Sequence, residues 1–291
     1  MGNNTEEEIT QNVIRSLART PDARLKTVMT SLISHLHSFI REVELTEEEW
    51  LASIQFLTRT GQKCDEKRQE FILLSDVTGV SMLVDAINHR ALDGATENTV
   101  LGPFHQDDSP ELLNGANISL DGRGEPTVVR GRVLATDGSP IPHALLDVWE
   151  TDENGLYEQQ DPEQPEMNLR GKFRTDSEGY YSFVGIKPTS YSIPQDGPVG
   201  HLLRSLERHP FRPAHIHLRV SADGFATLTT HLFAKGDPYL DSDAVFGTKD
   251  SLVVDFVPCD SAEEAVRYHV SMPFYTVDYD FVLKPMGDHC Q

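Results

Sequence analysis

Residues 23–43 place Leu25, Val28, Met29, Leu32, Leu36, Ile40 and Val43 at spacings of three and four, with polar residues between. That period predicts an amphipathic helix. A second helix is predicted from Thr46, where Glu49 completes a capping box, through Trp50, Ile54 and Leu57 to a stop near Gly61. A third is predicted over about Glu66 to Asn88. Past Thr96 the period changes. Short β-branched and aromatic runs such as VVRGRVLATDGSPI, ALLDVWETDENGLY, GKFRTDSEGYYSFVGI and AHIHLRVSADGFATLTTHLF alternate with Gly, Pro and Asp-Gly punctuation. Such spacing predicts a β-sandwich. The expected organisation is a helical segment over 1–95 and a mainly β domain over 96–291. The helices carry apolar faces wide enough to pair with a second copy of the chain.

Composition narrows the partners. With 46 acidic and 25 Lys and Arg residues, the formal charge is −21. An acidic surface disfavours nucleic acid and anionic membrane. The start, MGNNTEEEIT, has no apolar stretch of a signal peptide, and Glu6 stands where a myristoylation signal needs Ser or Thr. No run is long enough to span a membrane. Cys64, Cys259 and Cys290 are few and lack CxxC spacing, which points to reduced thiols in a cytoplasmic protein and away from a zinc-thiolate site.

The stretch RPAHIHLRV raises the first chemical question. On a strand, His215, His217 and Arg219 share one face, while Ile216, Leu218 and Val220 share the other. The apolar set belongs in the core, and the two imidazoles are close enough to hold one ion. Two polar residues on the wetter face of a strand would look the same. A metal site needs further ligands. Glu207, Asp223 and His231 are within sequence reach, so a two-histidine, one-carboxylate site is conceivable. A cupin site is disfavoured, because Ser221 and Ala222 occupy the stretch where its glutamate would stand. Tyr157, after a turn glycine in ENGLYEQQD, and Tyr191, in TSYSIPQDGPVG, offer phenols instead. A phenol titrates near 10, so only a strongly Lewis-acidic ion such as ferric iron holds it as phenolate at neutral pH. Taken alone, each tyrosine reads first as an amphipathic packing residue.

Together the blocks ENTVLGPF, GSPIPHALLDVWETDENGLY, LRGKFRTDSEGYYSF, YSIPQDGPVG, RHPFRPAHIHLRV and YLDSDAVFG resemble the intradiol ring-cleaving dioxygenases, the family of catechol and hydroxyquinol 1,2-dioxygenases. The resemblance implies a β-sandwich catalytic domain with an N-terminal α-helical linker and dimerisation domain. It implies one non-haem Fe(III) per subunit, held by Tyr157, Tyr191, His215 and His217. It also implies a homodimer, with phospholipid in an apolar tunnel at the helical interface. Arg212 matches the arginine that the family sets beside its substrate, and Tyr191 the ligand that takes up a substrate proton. His231 falls where many catechol enzymes have glutamine, which leaves it a polar role near the iron.

Several stretches, VSMLVDAINH, ATENTVLGPFH, TTHLF and YLDSDAVFG, look closer to the hydroxyquinol branch. The implied reaction takes a benzenetriol and O2 to a muconate in aromatic compound catabolism. A catechol or chlorocatechol enzyme is the alternative. A buried third hydroxyl needs a polar partner, and Asp85, among apolar neighbours, is the candidate. The pocket walls implied by the motifs are Val100, Leu101, Gly102, Pro103, Phe104, Ile193, Pro194 and Val245. GRVLATDGSPIPHALLDVW and FRTDSEGYYSF also occur in transthyretin-like modules that only bind, a reading from another class that would need neither tyrosine nor histidine pair.

Overall fold

The computed structural model describes residues 5–65, 68–89 and 94–286. Cys290 and the expected helix start at Glu66 lie outside the described residues. Contacts divide the chain into two compact units, Met1–Arg59 and Thr60–Gln291.

The first unit is helical. It holds α1 (Glu6–Ser16), α2 (Ala23–Glu42) and most of α3 (Glu47–Gln62). Each start has a local cause. Thr5 and Glu8 form a capping box on α1, Asp22 accepts the Leu25 N–H of α2 at 3.0 Å, and Thr46 and Glu49 cap α3 reciprocally. The α1 helix was not anticipated, although its Thr-x-x-Glu signature was legible. Buried Thr10 joins α1 to α2, meeting His37 Nδ1 at 3.0 Å and accepting from Arg41 at 2.9 Å. The apolar stripe of α2 and α3 is left open: Leu32 and Trp50 are 53% and 55% exposed.

In the second unit, α4 (Glu70–Val77) and α5 (Val80–Asn88) stand where one helix was expected. Gly79, at φ +75°, separates them. Such a left-handed residue ends one helix and redirects the next, and glycine adopts it without Cβ strain. Both helices lie N-terminal to the expected limit at residue 95, yet they belong to the sandwich unit. Val77, Leu73 and Leu74 share an apolar cluster with Ile193, Val199 and Val245.

The strands follow in chain order: β1 (Pro126–Ala135), β2 (Leu145–Trp149), β3 (Arg170–Arg174), β4 (Tyr180–Ile186), β5 (Tyr191–Ser192), β6 (Phe211–Arg212), β7 (His215–Ser221), β8 (Leu228–Ala234), β9 (Val253–Val254), β10 (Val257–Cys259), β11 (Phe274–Asp278) and β12 (Phe281–Leu283). Helix α6 (Pro198–Ser205) precedes β6, and α7 (Ala262–Tyr268) precedes β11. One sheet runs β10-β11-β1-β12 with β4 on the other side of β1; the second runs β3-β2-β7-β8-β9. A two-stranded ribbon pairs β5 with β6.

Period-two alternation sends Val129, Val133, Phe183 and Phe281 of one sheet against Leu146, Val148, Ile216, Leu218 and Val220 of the other. Each is completely or almost completely buried, contributing about 1.5–3 kcal/mol of transfer free energy per side chain. Glu150, just past β2, is enclosed with them. Its Oε1 accepts the Ile186 N–H at 3.0 Å and its Oε2 has no partner among the described residues. Burial pushes this carboxyl up to about 8, against the opposing pull of the Ile186 hydrogen bond.

Candidate metal centre

The site grows from the face of β7 that the core does not use. Register across the second sheet pairs His217 with Trp149 of β2 on one side and with His231 of β8 on the other. Residues directly opposite on neighbouring strands point the same way, so Trp149, His217 and His231 form a row. His215 follows two residues along. Trp149 stacks on His217 with centroids 4.8 Å apart. Arg219, third on that face, is exposed.

His215 and His217 bring their Nε2 atoms to 3.1 Å. The His215 Nδ1–H donates to the Pro213 carbonyl at 2.6 Å, which leaves Nε2 as the lone-pair nitrogen. Burial holds all three histidines well below the usual imidazole range. Further depression comes from Arg212 at His215, from His231 at His217, and from His215 at His231. All three are therefore neutral imidazoles at neutral pH.

Tyr157 arrives from a loop and Tyr191 from the first position of β5. Asp152 Oδ1 accepts the Asn154 and Leu156 N–H groups at 3.0 and 2.8 Å and so folds the turn ahead of Tyr157. In that turn Gly155 has φ +80°, and a Cβ there would stand 2.7 Å from the Cβ of Tyr191. Glycine is what lets the Tyr157 turn touch the Tyr191 segment. The phenol oxygens of Tyr157 and Tyr191 are 3.4 Å apart. Tyr191 lies beside His215, centroids 5.4 Å, and Tyr157 lies 6.1 Å from His217. Burial pushes the Tyr157 phenol well above 10, the neighbouring Tyr191 adding to the shift. The Arg212 and Arg170 charges oppose it. Arg170 is 1% exposed, donates through Nε to Glu158 at 2.8 Å and stands 6.0 Å from the Tyr157 ring centre.

The short ribbon places Arg212 opposite Tyr191. Asp243, in the YLDSDAVFG loop, accepts Arg212 Nε at 3.2 Å and also the Val245 and Gly247 N–H groups at 3.2 and 2.9 Å. Arg212 NH1 reaches within 3.3 Å of His215 Nε2. Burial works against this guanidinium charge, but Asp243 and Tyr191 outweigh it and hold the Arg212 pKa above its ordinary value.

A cavity of about 220 Å³ opens on Tyr191 and Arg212. Of the expected walls, Val100, Gly102, Pro103, Phe104, Ile193, Pro194 and Val245 line it. Leu101 faces a separate shallow groove with His105 and Arg219. Asp85 also stands elsewhere. Its carboxylate is held by His89 Nδ1 at 2.7 Å and by Lys249 at 3.5 Å, away from the cavity lining. The break at Gly79 is the reason, since it ends α4 after Val77. Two acids line the cavity, Glu70 and Asp76, both on α4. Glu70 is held by Arg68 at 2.8 Å and by the Val199 N–H at 3.1 Å, which leaves Asp76, at the end of the helix, as the acid without an ion-pair partner among the described residues. Burial raises its pKa, with Ser81 and Arg212 opposing.

The donor set fits a hard metal cation. Two phenol oxygens and two imidazole nitrogens converge in a buried space. Within it, Nδ1 of His217 and Nε2 of His231 have no partner among the described residues. Buried polar atoms are rarely left so. Glu207 and Asp223 are not in this cluster; among the described residues the side chains grouped at ligating distance are His215, His217 and His231.

A model of the dioxygenase family matches residues 102–285, and a model of the catechol dioxygenase N terminus matches residues 22–96. Hydroxyquinol 1,2-dioxygenase of Rhizobium sp. (strain MTP-10005) is 53% identical over 96% of this chain and 95% of its own length. The 6-chlorohydroxyquinol 1,2-dioxygenase of Cupriavidus pinatubonensis is 47% identical over 96% of this chain and 98% of its own. The crystal structure of hydroxyquinol 1,2-dioxygenase from Pseudomonas putida DLL-E4 superposes with a TM-score of 0.91 at 49% identity, covering 97% of this chain and 99% of that one. Matching relatives from end to end of the chain, together with buried tyrosine and histidine pairs on one face of the sandwich, place it in the intradiol ring-cleavage dioxygenase family.

Proposed function

We propose that this chain is a hydroxyquinol 1,2-dioxygenase. It cleaves benzene-1,2,4-triol with O2 between the two adjacent hydroxylated carbons. The product is 3-hydroxy-cis,cis-muconate, whose keto form is maleylacetate. Tyr157, Tyr191, His215 and His217 are the residues that would hold Fe(III), which would supply Lewis acidity toward the ring oxygens and electron exchange with dioxygen.

The chain's own groups do the rest. Tyr191, at the cavity wall, takes up a proton as the diol becomes a dianion. Arg212, steadied by Asp243, keeps a permanent positive charge beside the ring and stabilises negative charge that develops there. Pro103, Phe104, Ile193 and Val245 are apolar walls that orient the ring and exclude water.

Asp76 is the observation that carries the substrate assignment. A triol differs from catechol by one hydroxyl, and this cavity has in its wall, besides Glu70 held by Arg68, the buried carboxylate of Asp76 to receive it. A hydrogen bond to a charged partner is worth about 1.5–3 kcal/mol. Asp76→Asn should therefore lower kcat/KM for hydroxyquinol by about ten- to a hundredfold while leaving catechol turnover nearly unchanged. Asp85→Ala should affect both substrates alike. The test is steady-state turnover of both compounds by iron-loaded protein, with the ring-opened product identified by mass. A clear preference for catechol rejects the assignment.

The exposed stripe of α2 and α3 supports a homodimer joined through these helices, and apolar side chains of this kind suit the acyl chains of a phospholipid. Among the described residues no helix is long and apolar enough to cross a membrane. Cys64 and Cys259 are free thiols, which supports a cytoplasmic setting.

A further inference from the structure

We propose that His231 joins His215 and His217 in a three-imidazole site that binds a divalent cation without help from either tyrosine. This rests on the reading of the pocket as a metal centre, but it assigns a different donor set and a different class of ion.

The ligating nitrogens of the three rings lie within 4.8 Å of one another. Ring centres are 4.7 Å apart for His215 and His217, 4.7 Å for His215 and His231, and 4.2 Å for His217 and His231. All three side chains are buried. His231 is tied at Nδ1 to the hydroxyl of Thr99, and that tie commits one ring nitrogen. The other, Nε2, has no partner among the described residues. A fully enclosed ring nitrogen with nothing to bond is costly to keep, and a metal ion is the partner that His215 and His217 imply. Strand register holds the third ring in place, since His231 sits directly opposite His217.

Ion charge decides which donors are used. Zinc-like divalent ions are satisfied by three neutral nitrogen ligands and a water. A ferric ion is harder and needs anionic oxygen. Arg212, 3.3 Å from His215 Nε2, repels any cation, and a divalent ion less than a trivalent one. The centre thus has two overlapping donor sets. The imidazoles alone take a divalent ion, and the phenols are added for a trivalent one. Zn2+ or Co2+ in the first set would block formation of the second.

Metal-free full-length chain is titrated with Co2+ alone, followed by its visible absorption. The expected result is one tight equivalent. His231→Gln should weaken it at least about tenfold, because even residues behind a ligand cost that much when lost. The double variant Tyr157→Phe, Tyr191→Phe should keep the wild-type affinity. In the unmutated chain, Co2+ should shift the resonances of three imidazole rings, a readout that stands even if a variant fails to fold. Equal Co2+ affinity in His231→Gln and wild type, loss of binding in the double tyrosine variant, or shifts at only two rings would overturn the proposal. Adding Fe(III) separates the two readings. Failure of wild type to develop a tyrosinate-to-iron absorption band would count against the dioxygenase centre and leave the three-imidazole site standing.

Discussion

Replacing Glu150 with glutamine should change how stability depends on pH. The carboxyl is 1% exposed, has no cationic partner among the described residues and is held at about 8 by burial. In an unfolded chain it returns to its ordinary 4.5. Below pH 4.5 both states carry the proton and the residue contributes no pH dependence. Between 4.5 and 8 the folded state binds more protons than the unfolded one, so stability falls as pH rises, about tenfold in the folding equilibrium per pH unit. Above 8 both states are ionised and the loss is complete at about 5 kcal/mol, a large share of a typical 5–15 kcal/mol total. Glutamine cannot ionise, and its oxygen can still accept from Ile186. Urea unfolding of both metal-free proteins from pH 5 to 9.5 provides the comparison. The variant should be level with or slightly below wild type at pH 5, since its amide N–H groups lack partners, and above it by several kcal/mol at pH 9. Taking the difference at each pH cancels every other titrating group. A variant-minus-wild-type difference that is the same at pH 5.5 and 9 would refute the claim that Glu150 is protonated in the fold.

Arg212→Met should cost about 10²–10³ in kcat/KM by removing the charge beside the ring. It should also cost about 3–5 kcal/mol of stability, because Asp243 is left buried without its cationic partner; paired kinetics and denaturation measure both. Tyr157→Phe and Tyr191→Phe should each weaken the visible absorption band of the iron-loaded protein, and retention of the full band in both would remove the phenols from the ligand set. Chelation should abolish that band together with activity, and Fe(III) should restore both where Zn2+ restores neither. Leu32→Glu with Trp50→Glu should convert a dimer to monomers in sedimentation analysis, since a charge on that stripe cannot be buried against a second copy.

Local rules made much of this protein readable from its sequence. Alternation along β7 put His215 and His217 on one face and Ile216, Leu218 and Val220 on the other, because a strand's side chains can only alternate. The capping box at Thr46 and the apolar period of α2 marked their helices for equally local reasons. What needed the tertiary structure were relations between segments distant in the chain. No local pattern says that His231 stands opposite His217, that Arg212 faces Tyr191, or that Asp243 holds Arg212; strand register and ribbon pairing decide these. The place of Asp76 in the cavity wall is the sharpest case. Asp76 and Asp85 both sit among apolar residues on a helical stretch, and periodicity treats them alike. The turn at Gly79 ends α4 beside the cavity and hands Asp85 to His89 and Lys249, and where that turn points depends on packing of α4 against Ile193, Val199 and Val245.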